Sequence, residues 1–348
     1  FGLNPTEVKS AFKIETILTQ HQGWVEALSQ FIINGNHVVF IFGNHDIELY
    51  WPRVQQMILQ KLNLPEGMGS NVRFCEWFYL SQGDTLIEHG HQYDPYCLCQ
   101  NPINPLIFTG GQYTVRLPFG NLANRYMVNQ MGLKNPHCDD SFTSSGSEIV
   151  KFFFKYELSV QPFMLLTWLQ GALRTLITSI QEGYRPSVKD PLTFESKIKT
   201  IARKANTTPE VVLALRECQG HPAVMNPFSI IRELWLDRVF LLMAIIWGCW
   251  QVFSTSRVFA DVSLWWFLIP LIILLPIFIH YAHGVTSDVH KNLEYALNEA
   301  PLAANACSVK RVIHGHTHRE RHEFISEIEY LNTGCWSTIF ADVECSRE

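Results

Sequence analysis

Three short apolar runs in this chain each stop abruptly in a loop rich in glycine and histidine. His37-Val38-Val39-Phe40-Ile41-Phe42 breaks into Gly43-Asn44-His45-Asp46, Leu86-Ile87-Glu88 into His89-Gly90-His91, and Arg311-Val312-Ile313 into His314-Gly315-His316-Thr317-His318. Runs of this length, bounded by turn residues, read as strands, and the first is apolar enough to be buried on both faces. Ligands in open α/β sheets gather at the carboxyl ends of strands. One such loop would mean little, but three in the same position predict an α/β fold with a site built at one edge of its sheet. A further strand over Ile328 to Leu331 ends at Asn332-Thr333-Gly334. Ahead of the first strand, Val8, Phe12, Ile17, Leu18, Trp24, Val25, Leu28 and Phe31 recur at helical spacing and predict one or two amphipathic helices over residues 7–34.

At 348 residues the chain exceeds the usual single-domain size. The stretch between the second and third histidine loops is far longer than a connection requires. The expected organisation is therefore a catalytic domain over 1–95 and 305–348, with a mainly helical insertion over 96–304. Pro- and Gly-punctuated segments (101–120), a Ser/Thr-rich loop (141–147) and apolar helices around 149–182 fall inside it. So does a helix with Thr208 as N-cap and Pro209 at its first position.

Two runs in the insertion are strongly apolar. Residues 239–253 carry no charge, and residues 264–282 carry only His280 as an ionisable side chain besides Tyr281. About 20 apolar residues span a bilayer, so the second run qualifies and the first is marginal. With a short linker between them, a helical hairpin entering and leaving the membrane on one side is expected. The bland alternative is a pair of buried core helices or a lipid-facing surface that does not span. Composition points the same way: charged residues make up 17%, hydrophobic residues 47%, with ten Trp and 23 Phe. A net charge of −5 supplies no electrostatic footprint for nucleic acid. The nine cysteines, odd in number and without a C-x-x-C pair, favour neither a disulfide framework nor a zinc knuckle. They fit a reducing compartment, hence a membrane-associated protein with its catalytic domain on the cytoplasmic side.

The histidine loops carry the chemistry. On an extended backbone, His316 and His318 would project to one side, and imidazole is a common ligand of zinc, iron and manganese. Asn44 offers a neutral amide oxygen. His45 and Asp46 form an adjacent pair able to supply a proton donor and the group that orients it. Each loop taken alone is more often an ordinary turn with solvated or backbone-satisfied side chains.

Together these loops resemble the calcineurin-like metallophosphoesterase family. Its ordered blocks are D-x-H, G-D-x-x-D, G-N-H-D, a strand-end His and G-H-x-H. The last three match Gly43 to Asp46, His89 and Gly315 to His318, and Asn332-Thr333-Gly334 is similar to the strand that often follows. The resemblance implies a metallophosphoesterase-type β-sandwich flanked by helices. It also implies a centre of two divalent or trivalent ions (Mn, Fe, Zn or Mg). By position, Asn44, His89 and His316 would hold the second ion and His318 would belong to the first. His45 would sit by the leaving-group oxygen with Asp46 supporting it, while His91 and His314 receive no role. The family member that cleaves UDP-diacylglucosamine also has Gly-His-Thr-His and a helical insertion that receives acyl chains. It carries Gly-Asn-Arg-Asp and His-Gly-Asp where this chain has His45 and His91, so that activity is not carried over.

The first two blocks have no counterpart. No Asp occurs in residues 1–42, and Asp84 lies on the wrong side of Gly43, where it reads as a turn. The missing ligands are expected to precede Phe1 in a longer protein, and the chain alone is expected to be nearly inactive. Asn121, Arg125 and Tyr126, together with Arg116, are weaker candidates for phosphate or headgroup contact, and Tyr93 and Asp94 for lining the same cleft. The expected activity is metal-dependent hydrolysis of a phosphomonoester, phosphodiester or pyrophosphate, with the apolar insertion tilting the substrate towards something lipid-linked. The rival expectation is a non-catalytic, membrane-associated scaffold that keeps the fold.

Overall fold

The structure is a computed structural model describing residues 4–131, 163–188, 191–285, 288–289 and 295–335. The chain is mixed α/β. It divides into two compact units, Phe1–Arg125 with Thr178–Met225 and Asn292–Thr338, and Tyr126–Ile177 with Asn226–Lys291 and Ile339–Glu348.

The first unit opens with two helices, α1 (Glu7–Gln20) and α2 (Gln22–Ile33), followed by strand β1 (Val38–Ile41) and helix α3 (Pro52–Leu62). Pro52 begins α3 where its missing N–H costs nothing, and Asn63 closes it in the left-handed conformation. β1 pairs in parallel with β2 (Val72–Cys75) and, among the described residues, with no other strand. Ala11, Leu18, Val25, Ile32, Val54 and Ile58 from the three helices share a core with Phe74 of β2. The expectation that β1 is buried on both faces is corrected, since all four of its residues are half-buried. Among the described residues its ladder has a strand neighbour on one side only.

Five further strands make the main sheet: β3 (Phe78–Ser81), β4 (Thr85–Glu88), β7 (Arg311–His314), β8 (Glu320–Ile325) and β9 (Ile328–Thr333). Their spatial order is β3-β4-β7-β9-β8, with β4, β7 and β9 parallel and the outer strands antiparallel. A separate hairpin joins β5 (Leu106–Thr109) to β6 (Gln112–Val115). Asp84 sits in the β3–β4 turn, as the sequence predicts, where it accepts from the Thr85 hydroxyl at 2.8 Å. That turn is at the opposite end of β4 from His89.

A second core forms where Phe78, Leu86, Val312 and Tyr330 of this sheet meet three helices. Ile198 and Ile201 come from Pro191–Lys204, Val212 and Leu215 from Pro209–Glu217, and Ala300 and Ala304 from Tyr295–Cys307. The site-bearing unit thus takes in 96–125, 178–225 and 292–304 from the stretch expected as insertion, because their apolar faces cover its sheet. Thr208 stands at the N-cap with extended backbone and Pro209 follows at the first turn, although the Thr208 side chain caps no backbone N–H. Of the apolar helices expected around 149–182, the part before residue 163 lies outside the described residues, as does the 141–147 loop. The remainder begins the helix Met164–Tyr184.

In the second unit two long helices run side by side, Leu236–Phe259 and Trp265–Gly284. At about 1.5 Å per residue they are roughly 36 and 30 Å long, sufficient for a hydrocarbon core of about 30 Å. The helix judged marginal from its uncharged run begins three residues before that run, at Leu236, and extends six residues beyond it, to Phe259. The helices are antiparallel. At one end Arg238 donates to the Val285 carbonyl at 2.9 Å and the Tyr281 hydroxyl donates to Asp237 at 2.8 Å, while towards the other Trp250 and Phe253 meet the Phe267 ring. No residue of the most apolar window of the second helix is buried, and 11% of the first. The bland alternative of two buried core helices is therefore excluded for this pair.

Candidate metal centre

The site lies at the carboxyl ends of β1, β4 and β7. Because β4 and β7 are parallel neighbours, their terminal loops touch, and Gly315 N–H donates to the His89 carbonyl at 3.1 Å. β1 belongs to a different sheet, yet its loop reaches the same place: Asn44 Oδ1 lies 3.0 Å from His89 Nε2. The Gly43 position requires glycine, since a Cβ there would lie 3.0 Å from two carbons of the His89 ring. Gly90 is left-handed (φ +94°), and a Cβ on it would press on the His314 ring at 3.2 Å.

Four imidazoles converge here. The His89 ring centre is 5.3 Å from that of His316 and 5.2 Å from that of His91, with His91 and His316 at 6.4 Å. Burial together with the neighbouring His316, His45, His318 and His314 pushes the His89 pKa down to about 3. Burial first, then His89, His316 and His45, holds His91 well below the ordinary histidine value. His45 is lowered by desolvation, then by His316 and His318, although one side of it stays open to solvent. His89, His91 and His45 are thereby held neutral near pH 7, the state in which imidazole binds a metal.

The expectation that His316 and His318 project from an extended backbone is corrected. Both are left-handed, at φ +67° and +59°. Non-glycine residues avoid this region, and where they occupy it the surroundings must hold them there. Asn332 Nδ2 donates to the Gly315 carbonyl at 2.6 Å and Thr317 N–H to the same oxygen at 2.8 Å. His318 is exposed, close enough to His45 and His89 to depress both.

Asp46 accepts from the Gly43 N–H at 2.6 Å. Desolvation raises its pKa, opposed by the backbone N–H groups of Gly43 and of Asp46 itself. Its support of His45 therefore runs through the loop that carries both. Asn121, at the start of the helix Phe119–Ala123, clasps Asn44: its Nδ2 donates to the Asn44 carbonyl and its Oδ1 accepts from Asn44 Nδ2 at 3.3 Å. This orients the Asn44 amide with its oxygen towards His89.

Of the weaker candidates, Asp94 reaches the histidine cluster, with Oδ2 2.9 Å from His316 Nε2. Tyr93 does not line a cleft. It is 2% exposed, stacks on His314 at 5.5 Å and donates its hydroxyl to Glu88 at 2.6 Å. His314, also on that carboxylate at 2.9 Å, belongs to this buried network beneath the site. Arg116 is likewise withdrawn from substrate. It is buried and gives its terminal N–H groups to Gln100 and to the Arg185 carbonyl. Arg125 lies near Glu182, whose pKa burial raises while Arg185, Arg116 and Arg125 counteract that rise. These arginines serve a part-buried carboxylate, because an enclosed charge must find an opposite one.

His91, to which no role was given, is 3% exposed, and its Nδ1 is buried without a hydrogen-bond partner. Asp94, Cys97 and His316 also place ligand-type atoms within 4.8 Å of one another. The seven cysteines among the described residues are all free. An amide oxygen, several neutral imidazoles and an orphaned ring nitrogen form a donor set suited to zinc, iron or manganese. No protein-family model matches the chain, and neither the curated proteins nor the solved structures contain a significant match to it.

Proposed function

We propose that this chain carries part of the metal centre of a phosphoester hydrolase with the metallophosphoesterase type of fold, acting on a phosphomonoester, phosphodiester or pyrophosphate. The observation that carries the reading is the convergence of Asn44, His89 and His316, from three separate strand ends, on one point. Asn44, His89 and His316 would hold one ion, and His318 would contribute to a second. When bound, such ions would supply an acidified water and positive charge for the phosphoryl oxygens. The chain's own residues do the rest. Asn121 fixes the Asn44 amide, Asp46 fixes the loop, and neutral His45, open to solvent on one side, offers a ring N–H to the leaving oxygen of a bound phosphate.

The test is metal content followed by turnover. The purified chain is expected to retain about one transition-metal ion. Preceded by a segment carrying D-x-H and G-D-x-x-D, it is expected to hydrolyse p-nitrophenyl phosphate or bis(p-nitrophenyl) phosphate. A chain that takes up no zinc, manganese or iron would sink this reading in favour of a non-catalytic scaffold.

The helix pair Leu236–Phe259 and Trp265–Gly284 supports attachment to a membrane and hence a lipid-linked substrate, and the free thiols fit a catalytic domain in a reducing, cytoplasmic compartment. Pro270 and Pro276 stand inside the second helix. In water each would cost about 3 kcal/mol, whereas spanning helices tolerate them where neighbours re-satisfy the backbone. Ile272 and Ile273 are both 61% exposed. Replacing both with Lys is expected to cost roughly 2.5–3.5 kcal/mol each at mid-bilayer. The wild type should float with phosphatidylcholine vesicles in a density gradient and the double variant should not; equal flotation would refute the insertion.

A further inference from the structure

Asp94 lies on the loop after β4, 222 residues from His316 in sequence. Its carboxylate is enclosed, and so is the imidazole it meets, with side-chain exposures of 4% and 8%. One oxygen, Oδ1, accepts from the Tyr96 N–H at 2.8 Å. The other, Oδ2, is 2.9 Å from His316 Nε2, and the Cys97 thiol is a third donor to the same group. The Asp94 carbonyl in turn accepts from Cys97 and Leu98 N–H, so the loop itself is tied down.

The Asp94 carboxylate already accepts from the Tyr96 N–H and the Cys97 thiol, and as an acceptor it takes the bond to His316 from the ring N–H. Nε2 then carries the hydrogen, and Nδ1 keeps the lone pair that a metal needs. Histidines that bind metals regularly donate their other ring N–H to a carboxylate in this way, which fixes the tautomer and makes the ligand more basic. At His316 the contact adds a side-chain tether to a residue whose backbone is left-handed.

We infer that Asp94 is a positioning residue of the metal centre, holding His316 protonated on Nε2 so that Nδ1 is the metal-binding atom. This rests on the proposed metal centre and extends it to a residue outside the matched blocks. The competing arrangement makes Asp94, Cys97 and His316 three direct ligands, since their atoms lie within 4.8 Å. In that arrangement the Cys97 thiol would give up its proton to bind the ion, and Asp94 Oδ2 and His316 Nε2 would face the ion rather than each other at 2.9 Å.

The experiment uses the full chain in detergent micelles, with ¹⁵N-labelled histidine and Zn²⁺ as probe. Long-range ¹H–¹⁵N correlation should show one Nε2–H imidazole whose signal is absent from His316→Ala and becomes a tautomer mixture in Asp94→Ala. Competition with a chromophoric chelator should show zinc affinity reduced 10- to 100-fold by Asp94→Ala. Asp94→Asn, which keeps an acceptor for Tyr96, should fall less, and Cys97→Ser should match wild type. Wild-type affinity in Asp94→Ala, or an unchanged His316 tautomer, overturns the inference. So does a Cys97→Ser loss as large as that of Asp94→Ala, which would mark direct ligands. If wild type itself takes up no zinc, the metal-centre reading falls and this inference with it. Zinc uptake by wild type that Asp94→Ala leaves untouched overturns the inference alone.

Discussion

Replacing His89 with alanine is expected to lower zinc affinity about a hundredfold. A four-ligand zinc site is worth about 10–16 kcal/mol, so one ligand carries roughly 3 kcal/mol, which is two powers of ten in a dissociation constant. The loss should be felt twice, because His89 is also the partner of the Asn44 amide oxygen at 3.0 Å and the ring against which Gly43 is packed. Chelator competition on the purified variant measures it. Exposed His322, paired with Glu329 at 3.1 Å on β8 and away from the strand-end loops, is the control, and its alanine variant should bind zinc as wild type does. Equal affinity in the His89 variant would remove His89 from the centre.

The largest stability effect is expected at Glu88. Its side chain is 1% exposed, accepts the Tyr93 hydroxyl at 2.6 Å and meets His314 Nε2 at 2.9 Å. The surroundings leave no alternative partner of the right kind, for His314 is enclosed by the Tyr93 ring at 5.5 Å and the Tyr330 ring at 5.3 Å. Burial first, then the charge of Glu88 and the hydrogen bond to it, holds the Tyr93 phenol well above its ordinary pKa, so it remains a donor. Glu88→Ala would strand a hydroxyl and an imidazole in the core of the main sheet, at about 3–5 kcal/mol. At 2–4 °C per kcal/mol for domains of this size, the melting temperature should fall by roughly 10 °C. Glu88→Gln keeps an oxygen for Tyr93 and should lose about 1–2 kcal/mol. Thermal unfolding of both variants gives the comparison, and a Glu88→Ala protein as stable as wild type would show that the network holds nothing together.

The apolar runs and their glycine punctuation were readable directly. Val38–Ile41, Thr85–Glu88, Arg311–His314 and Ile328–Thr333 are strands, and the two uncharged runs of the insertion are long helices. The candidate ligands Asn44, His89 and His316 were also readable, each as a side chain following a strand. Harder to read was which histidine faces the site. His91 and His314 sit in near-identical surroundings of strand end and glycine, yet one joins the histidine cluster and the other turns into the core. The difference is the Glu88 carboxylate, which captures His314 from the neighbouring strand. Arg116 and Arg125 went the other way: polar side chains near a promising loop, but nearer still to Glu182.

What the sequence by itself determined is the set of local patterns. Runs of β-branched and aromatic residues make strands, abrupt Gly-Asn and Gly-His ends make loops, and uncharged stretches of bilayer length make the helix pair, because each depends only on neighbours along the chain. Tertiary structure alone decided the polar partnerships: Asn44 with His89 across two sheets, Asn121 with Asn44, Asp94 with His316, and Glu88 with His314 and Tyr93. Most of these pairs join residues tens to hundreds of positions apart, and buried polar groups take whatever complementary atom the packed strands bring within reach.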